Sequence, residues 1–178
     1  MNHNVIPVLI ALLLPMSAPA AVIQSSPDGA IVEHHFPIAA SPQAAWNVLV
    51  HPELWWPSDH TWSSDRANLR LEAQAGGCFC ENWGEASAEH GRIVMAQPGK
   101  LLRIRGALGP MQEMAVTGVL TVKLNATASG GTEATVTYRV SGDASHKLDA
   151  FIPAVDQVIG LQFGAFAAWA SAPPKPAP

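Results

Sequence analysis

Residues 132–140, TEATVTYRV, and residues 151–169, FIPAVDQVIGLQFGAFAAW, decide the fold between them. In the first stretch Ala134, Val136, Tyr138 and Val140 alternate with Glu133, Thr135, Thr137 and Arg139. A period of two with one apolar and one polar side is a strand whose sheet is wet on one face. In the second stretch Ile152, Val155, Ile159, Phe163, Phe166 and Trp169 recur at steps of three and four, which is a helix with a wide apolar stripe. Pro153 suits a first helical turn better than an interior, so the main helix is expected to begin there. A half-apolar sheet and a single long amphipathic helix must bury their apolar faces on each other.

Upstream, the same period of two continues. Met114 to Leu124 sets Met114, Val116, Leu120, Val122 and Leu124 against Thr117, Thr121 and Lys123. Leu101–Arg105 and Arg92–Ala96 are two strands joined by the turn-forming Gln97-Pro98-Gly99-Lys100. Phe79, Glu81 and Trp83 alternate with Cys78, Cys80 and Asn82, while Leu69 and Leu71 precede the Gly76-Gly77 turn. Val32, His34, Phe36 and Ile38 share one side of a first strand, Ile31 to Ile38. Ser41-Pro42 then opens a helix, with Ser as N-cap and Pro in the first turn. Trp46, Leu49 and Val50 form its apolar face, and Pro52 limits it. The segment from Glu53 to Ser64, with Trp55, Trp56 and Trp62, is a short helix or a packed loop. The expected fold is α+β: about six to seven antiparallel strands curved round a long C-terminal helix, with short helices after the first strand.

A chain of 178 residues fits one domain with a real core. Its first charged side chain is Asp28, and before it lies an apolar run from Val5 to Met16, then Ser17-Ala18-Pro19-Ala20-Ala21. This pattern implies a signal peptide over residues 1–20 cleaved near Ala20 or Ala21, hence a periplasmic or secreted protein. The run is too short for a membrane span, which takes roughly 20 apolar residues. The segment before the run carries no Lys or Arg, so an uncleaved apolar helix is the competing reading. Residues 21–29 are expected to be a short leader, 30–171 the domain, and 172–178 a disordered Pro/Ala tail.

The net charge is −4 with no Lys/Arg cluster, which argues against nucleic acid as a partner. Charged residues are 13% of the chain, about half the usual share, so much apolar side chain faces something other than water. Cys78 and Cys80 lie at i and i+2 in a strand, which spaces their Cα atoms by about 6.6 Å. That is at the limit for bridging, so free thiols or a buried unbridged pair are expected over a strained disulfide.

Several words of the sequence resemble the START-like SRPBCC superfamily, in the branch grouped with activators of heat-shock-protein ATPases and with polyketide cyclases. They are His51-Pro52-Glu53-Leu54-Trp55-Trp56-Pro57, Gly76-Gly77-Cys78-Phe79-Cys80-Glu81, Gly91-Arg92-Ile93-Val94, Leu101-Leu102-Arg103-Ile104, Gly130-Gly131-Thr132 and Val155-Asp156. The resemblance spans roughly residues 30–170 and implies a cavity between sheet and C-terminal helix. Members of the superfamily include lipid and steroid carriers and cyclases, so the fold does not settle function.

Alternation assigns the inward side chains of that cavity. From the strands these are His34, Phe36, Leu69, Leu71, Phe79, Glu81 and Trp83, with Leu102, Ile104, Met114, Val116 and Tyr138. Val155, Ile159 and Phe163 come from the helix, and Trp46, Trp55, Trp56 and Trp62 are candidates for the mouth. Glu81 is flanked by Phe79 and Trp83 on one face, and a carboxylate among aromatics suits acid/base work or anchoring of a ligand donor. His34 or Tyr138 within reach would complete an acid/base set; a structural carboxylate paired with an Arg or a backbone amide is the plainer reading. Met111 and Met114, beside the Gly106–Pro110 loop, are candidates for a gate.

There is no nucleophile-elbow, P-loop or dinucleotide motif and no zinc-ligand spacing, so no cofactor and no metal are expected. The expected partner is a small hydrophobic or aromatic molecule held in the cavity. A cyclase- or lyase-type enzyme using Glu81, and a protein-interaction domain with a filled interior, are the alternatives.

Overall fold

The computed structural model describes residues 22–173. The expected signal peptide and the end of the expected tail lie outside the described residues. Eight strands form one antiparallel sheet: β1 (Val22–Ser26), β2 (Gly29–Ile38), β3 (Leu69–Leu71), β4 (Cys78–Trp83), β5 (Ala86–Gln97), β6 (Leu101–Arg105), β7 (Thr117–Ala126) and β8 (Thr132–Ser141). Their spatial order is β1-β2-β8-β7-β6-β5-β4-β3, so the first long strand pairs with the last. Between β2 and β3 run the short helices α1 (Pro42–Leu49) and α2 (Pro52–Trp55), and the chain closes with α3 (Leu148–Ser171). This is an α+β helix-grip fold, a curved sheet holding one long helix.

Residues 22–26, within the expected leader, form the edge strand β1, turned into β2 by Ser26-Pro27-Asp28-Gly29, where the Ser26 hydroxyl donates to Asp28 Oδ1 at 2.7 Å. A Pro at the second and Gly at the fourth position favour this turn. The helix α1 begins as read: Pro42 is in its first turn and Ser41 Oγ accepts from the Ala44 amide. The helix α3 begins five residues before Pro153, because Leu148 is fully buried and its amide donates to Pro27 O at 3.0 Å. Tertiary packing thus supports a turn that Pro153 cannot support through its own amide.

The inner face follows the alternation on β8, where Ala134, Val136, Tyr138 and Val140 are buried. On β7 the strand starts at Thr117, so Met114 and Val116 lie before it, in and after a 3-10 turn that ends on Ala115 at φ 51°. The middle of the grip is filled by aromatic rings. Trp55 sits 5.3 Å from Phe166 and 5.6 Å from Phe163, and Trp56 sits 5.3 Å from Phe79. What space remains among Leu71, Phe79, Leu102, Ile104 and Phe163 is about 10 Å³. That is room for at most one water.

Candidate functional site

Open space is found at one end of the grip, as a cavity of about 430 Å³. One wall is the first half of α3, with Phe151, Val155, Val158, Ile159 and Gln162. A second is Trp56 and the segment Asp59–Trp62, and a third is the loop Leu108–Met111. The sheet contributes His90. The size falls in the ordinary range for small-molecule sites, roughly 300–1,000 Å³.

Each wall has a local cause. The 56–62 segment is fixed by its own hydrogen bonds: Trp56 Nε1 donates to His60 O at 3.0 Å and Thr61 Oγ1 to Ser58 O at 2.7 Å. The 106–111 loop is fastened from inside the sheet, where Tyr138 Oη donates to Gly106 O at 3.2 Å and accepts from the Leu108 amide at 3.3 Å. Burial pushes the Tyr138 phenol up to about 12, so it remains a neutral donor.

His90 faces inward because β5 is bulged. Phe79 pairs with Gly91 and Cys80 with Glu89, which leaves His90 unpaired between them. A bulge adds one residue and re-aims a side chain, so His90 and Gly91 are both buried although they are consecutive. Gly91 is needed there, since a Cβ would come within 2.8 Å of Arg105 O.

Behind His90 stands Glu81, with no exposed surface. Its carboxylate accepts from the Trp62 amide at 3.0 Å, from the Ser63 amide, and from His90 Nε2 at 3.0 Å. Burial pushes the Glu81 carboxyl up, but the hydrogen bonds from Ser63, Trp62 and His90 together outweigh it and hold the carboxyl below its ordinary value. For His90 burial dominates over the attraction of Glu81 and holds the imidazole below its ordinary value. The pair is therefore an ionised carboxylate and a neutral imidazole.

The inward residues thus divide. Trp56, Trp62, Val155 and Ile159 line the cavity. Leu71, Phe79, Leu102, Ile104 and Phe163 instead surround the closed interior, with Trp55 in the same aromatic cluster and Trp46 buried on α1. Phe36 stacks on His34, Trp83 is half-buried at the end of β4, and Met114 and Val116 pack beside the core, all outside the cavity. Parity assigns a face of the sheet; the aromatic cluster decides which part of that face is open, and the start of β7 at Thr117 leaves Met114 and Val116 off it.

The expected acid/base set of Glu81 with His34 or Tyr138 does not assemble. His34 Nε2 lies 2.8 Å from Asp156 Oδ1 on α3, off the line of a good hydrogen bond, and Tyr138 serves the 106–108 backbone. Glu81's titratable partner is His90, which period-two reading missed because the bulge breaks the period. Of the two methionines, Met111 lines the cavity and Met114 does not. Cys78 and Cys80 are joined as a disulfide, against expectation, with Cα atoms 5.4 Å apart. Their Cα atoms lie closer than regular strand spacing allows, at the point where β5 bulges against β4.

The eight-stranded antiparallel sheet, the long C-terminal helix and the end cavity define a helix-grip fold. No family model and no curated protein matches the chain. Solved structures do. The protein CV1439 from Chromobacterium violaceum is similar at 15% identity and TM-score 0.55, over 80% of this chain and 98% of that one. A protein of unknown function, SA2116 from Staphylococcus aureus, is similar at 12% identity and TM-score 0.57, over 80% and 94%. A norcoclaurine synthase point mutant from Thalictrum flavum, in complex with a transition-state analogue, is similar at 10% identity and TM-score 0.54, over 80% and 94%. Likeness at these identities shows the fold alone.

Proposed function

We propose that this is an exported binding protein that holds a small hydrophobic or aromatic molecule in the end cavity. The observation that carries the reading is the cavity itself: about 430 Å³, walled mainly by apolar side chains, with His90, Gln162 and the polar residues Asp59, His60 and Thr61 set among them. It also argues against the interaction domain with a filled interior. The Gly76-Gly77-Cys78-Phe79-Cys80-Glu81 word supports placement in the branch with heat-shock ATPase activator homologues and polyketide cyclases. Export is supported by the apolar run and Ala-x-Ala pattern before Ala21 and by the Cys78–Cys80 disulfide, which suits an oxidising compartment. Amino-terminal sequencing of the protein from the culture medium or periplasm tests it; a start before residue 20 refutes cleavage.

The binding reading is tested by native mass spectrometry of the purified protein and by melting in the presence of a panel of lipids and aromatic compounds. A co-purified ligand, or a rise in melting temperature with one class of compound, is expected. No ligand and no rise across the panel refutes it. A second reading, cyclase- or lyase-type proton chemistry in the same cavity, is favoured by one observation: the buried Glu81–His90 pair reaches the cavity wall. In it His90 meets the ligand and Glu81 acts from behind.

A further inference from the structure

Glu81 Oε2 accepts from His90 Nε2 at 3.0 Å, and a carboxylate with no proton to give can only accept. The proton of the neutral His90 therefore sits on Nε2, and Nδ1 keeps its lone pair. Nδ1 has no protein partner among the described residues, yet it is not among the atoms sealed from solvent. His90 lines the cavity, so Nδ1 is a hydrogen-bond acceptor presented in an otherwise mainly apolar space. The ring cannot turn to hide it, because turning would break the bond to Glu81 and leave a buried carboxylate short of a donor. Phe79, with its ring 4.9 Å from the imidazole, and the Trp62 and Ser63 amides on the same carboxylate, hold both partners in place. Empty, such an acceptor meets only water; an apolar ligand without a donor would displace that water and leave Nδ1 unsatisfied, which costs affinity.

We infer that the cavity selects ligands that carry a hydroxyl donor on an apolar body, an aromatic or alicyclic alcohol or phenol, and that His90 Nδ1 accepts from that hydroxyl. Glu81 is the positioning residue that fixes the tautomer. The inference rests on the small-molecule reading of the cavity and adds which chemistry the ligand bears.

The test uses the full folded chain with 2-naphthol and 2-methoxynaphthalene, which share a ring system and differ in the donor. Titration calorimetry is expected to give about tenfold tighter binding for 2-naphthol, the worth of one good hydrogen bond. In His90→Phe the preference is expected to vanish while both still bind. Equal binding of the two probes by the unaltered protein overturns the inference and leaves the small-molecule reading standing. Binding of neither probe counts against both.

Should His90→Phe fail to fold, ¹⁵N spectra of histidine-labelled protein decide independently. His90 is expected as the Nε2–H tautomer, with the Nδ1 resonance moving on addition of 2-naphthol and not of its methyl ether. A resting Nδ1–H tautomer refutes the inference. Glu81→Gln weakens the acceptor and is expected to raise the Nδ1–H share; an unchanged share refutes Glu81's positioning role.

Discussion

Replacing Glu81 by Ala tests the central claim about the site, that one carboxylate ties the cavity loop, the bulge and the sheet together. The substitution removes the acceptor of three donors: the Trp62 amide, the Ser63 amide and His90 Nε2. A buried donor left unsatisfied costs about 1–3 kcal/mol. Trp62 is 45% exposed, so the two loop amides can turn to water and count at the low end, about 1 kcal/mol each. His90 is buried and is given the whole of that range, which brings the sum to roughly 3–5 kcal/mol. In a domain of this size each kcal/mol moves the melting temperature by about 2–4 °C, so a fall of roughly 6–20 °C is expected. Urea unfolding gives the free energy directly, and hydrogen exchange should show the Trp62 and Ser63 amides losing protection before the sheet does. A loss below about 1 kcal/mol, or unchanged protection at those amides, would refute the reasoning.

Other substitutions and conditions probe neighbouring parts. Tyr138→Phe removes the hydroxyl bridging Gly106 O and the Leu108 amide, and should cost about 1 kcal/mol while raising exchange at Leu108; no change at Leu108 would separate Tyr138 from the loop. Gly118→Ala would press a Cβ onto Gly106 O and the Tyr138 hydroxyl, and should destabilise by about 1–3 kcal/mol in urea unfolding. Glu81 and His90 both titrate lower in the folded than in the unfolded chain, so the unfolded chain takes up protons first as pH falls. Their contribution is full above about 6.5, the ordinary value for His, and declines below it, with Glu81 joining below about 4.5; melting temperature against pH measures this, and a flat profile from 7 to 4 contradicts it. Reducing the Cys78–Cys80 bond opens a very small loop and should cost about 2 kcal/mol or less, read from unfolding with and without reductant.

The legible part of the fold is the part governed by a regular period. Val136 and Tyr138 are buried and Thr135 and Thr137 less so, as strict alternation requires, and Ile152, Ile159, Phe163 and Phe166 are the buried stripe of α3. The Ser41-Pro42 start of α1 was legible because capping is a local chemistry. Three features were not. The edge strand β1 is short and mostly polar, and owes its existence to the ladder β2 offers it rather than to its own residues. His90 lies on a bulge, and a bulge shifts parity by one, so counting back by two from the buried Ile93 points it outward. The cavity's position depends on which rings meet across the grip, a matter of tertiary packing: Glu81 was found from its aromatic neighbours, but its partner was not.

The arrangement explains why one fold can be both well packed and hollow. Trp55, Trp56, Phe79, Phe163 and Phe166 close the middle of the grip, and their large buried surfaces stabilise the sheet against α3 without help from a ligand. The end cavity can then stay open at little cost, because its walls are supported from outside it: the 56–62 segment by its own turns and by Glu81, the 106–111 loop by Tyr138, and α3 by Leu148 and Ile152 in the core. Trp56 belongs to both regions, with Phe79 5.3 Å from its ring and its side chain on the cavity wall. A ligand pressing on Trp56 therefore presses on the aromatic core, so binding should raise the stability of the whole domain rather than of one loop. Exchange protection gained on binding should extend through β4 and α3; protection confined to residues 59–62 would mean that the core and the cavity are independent.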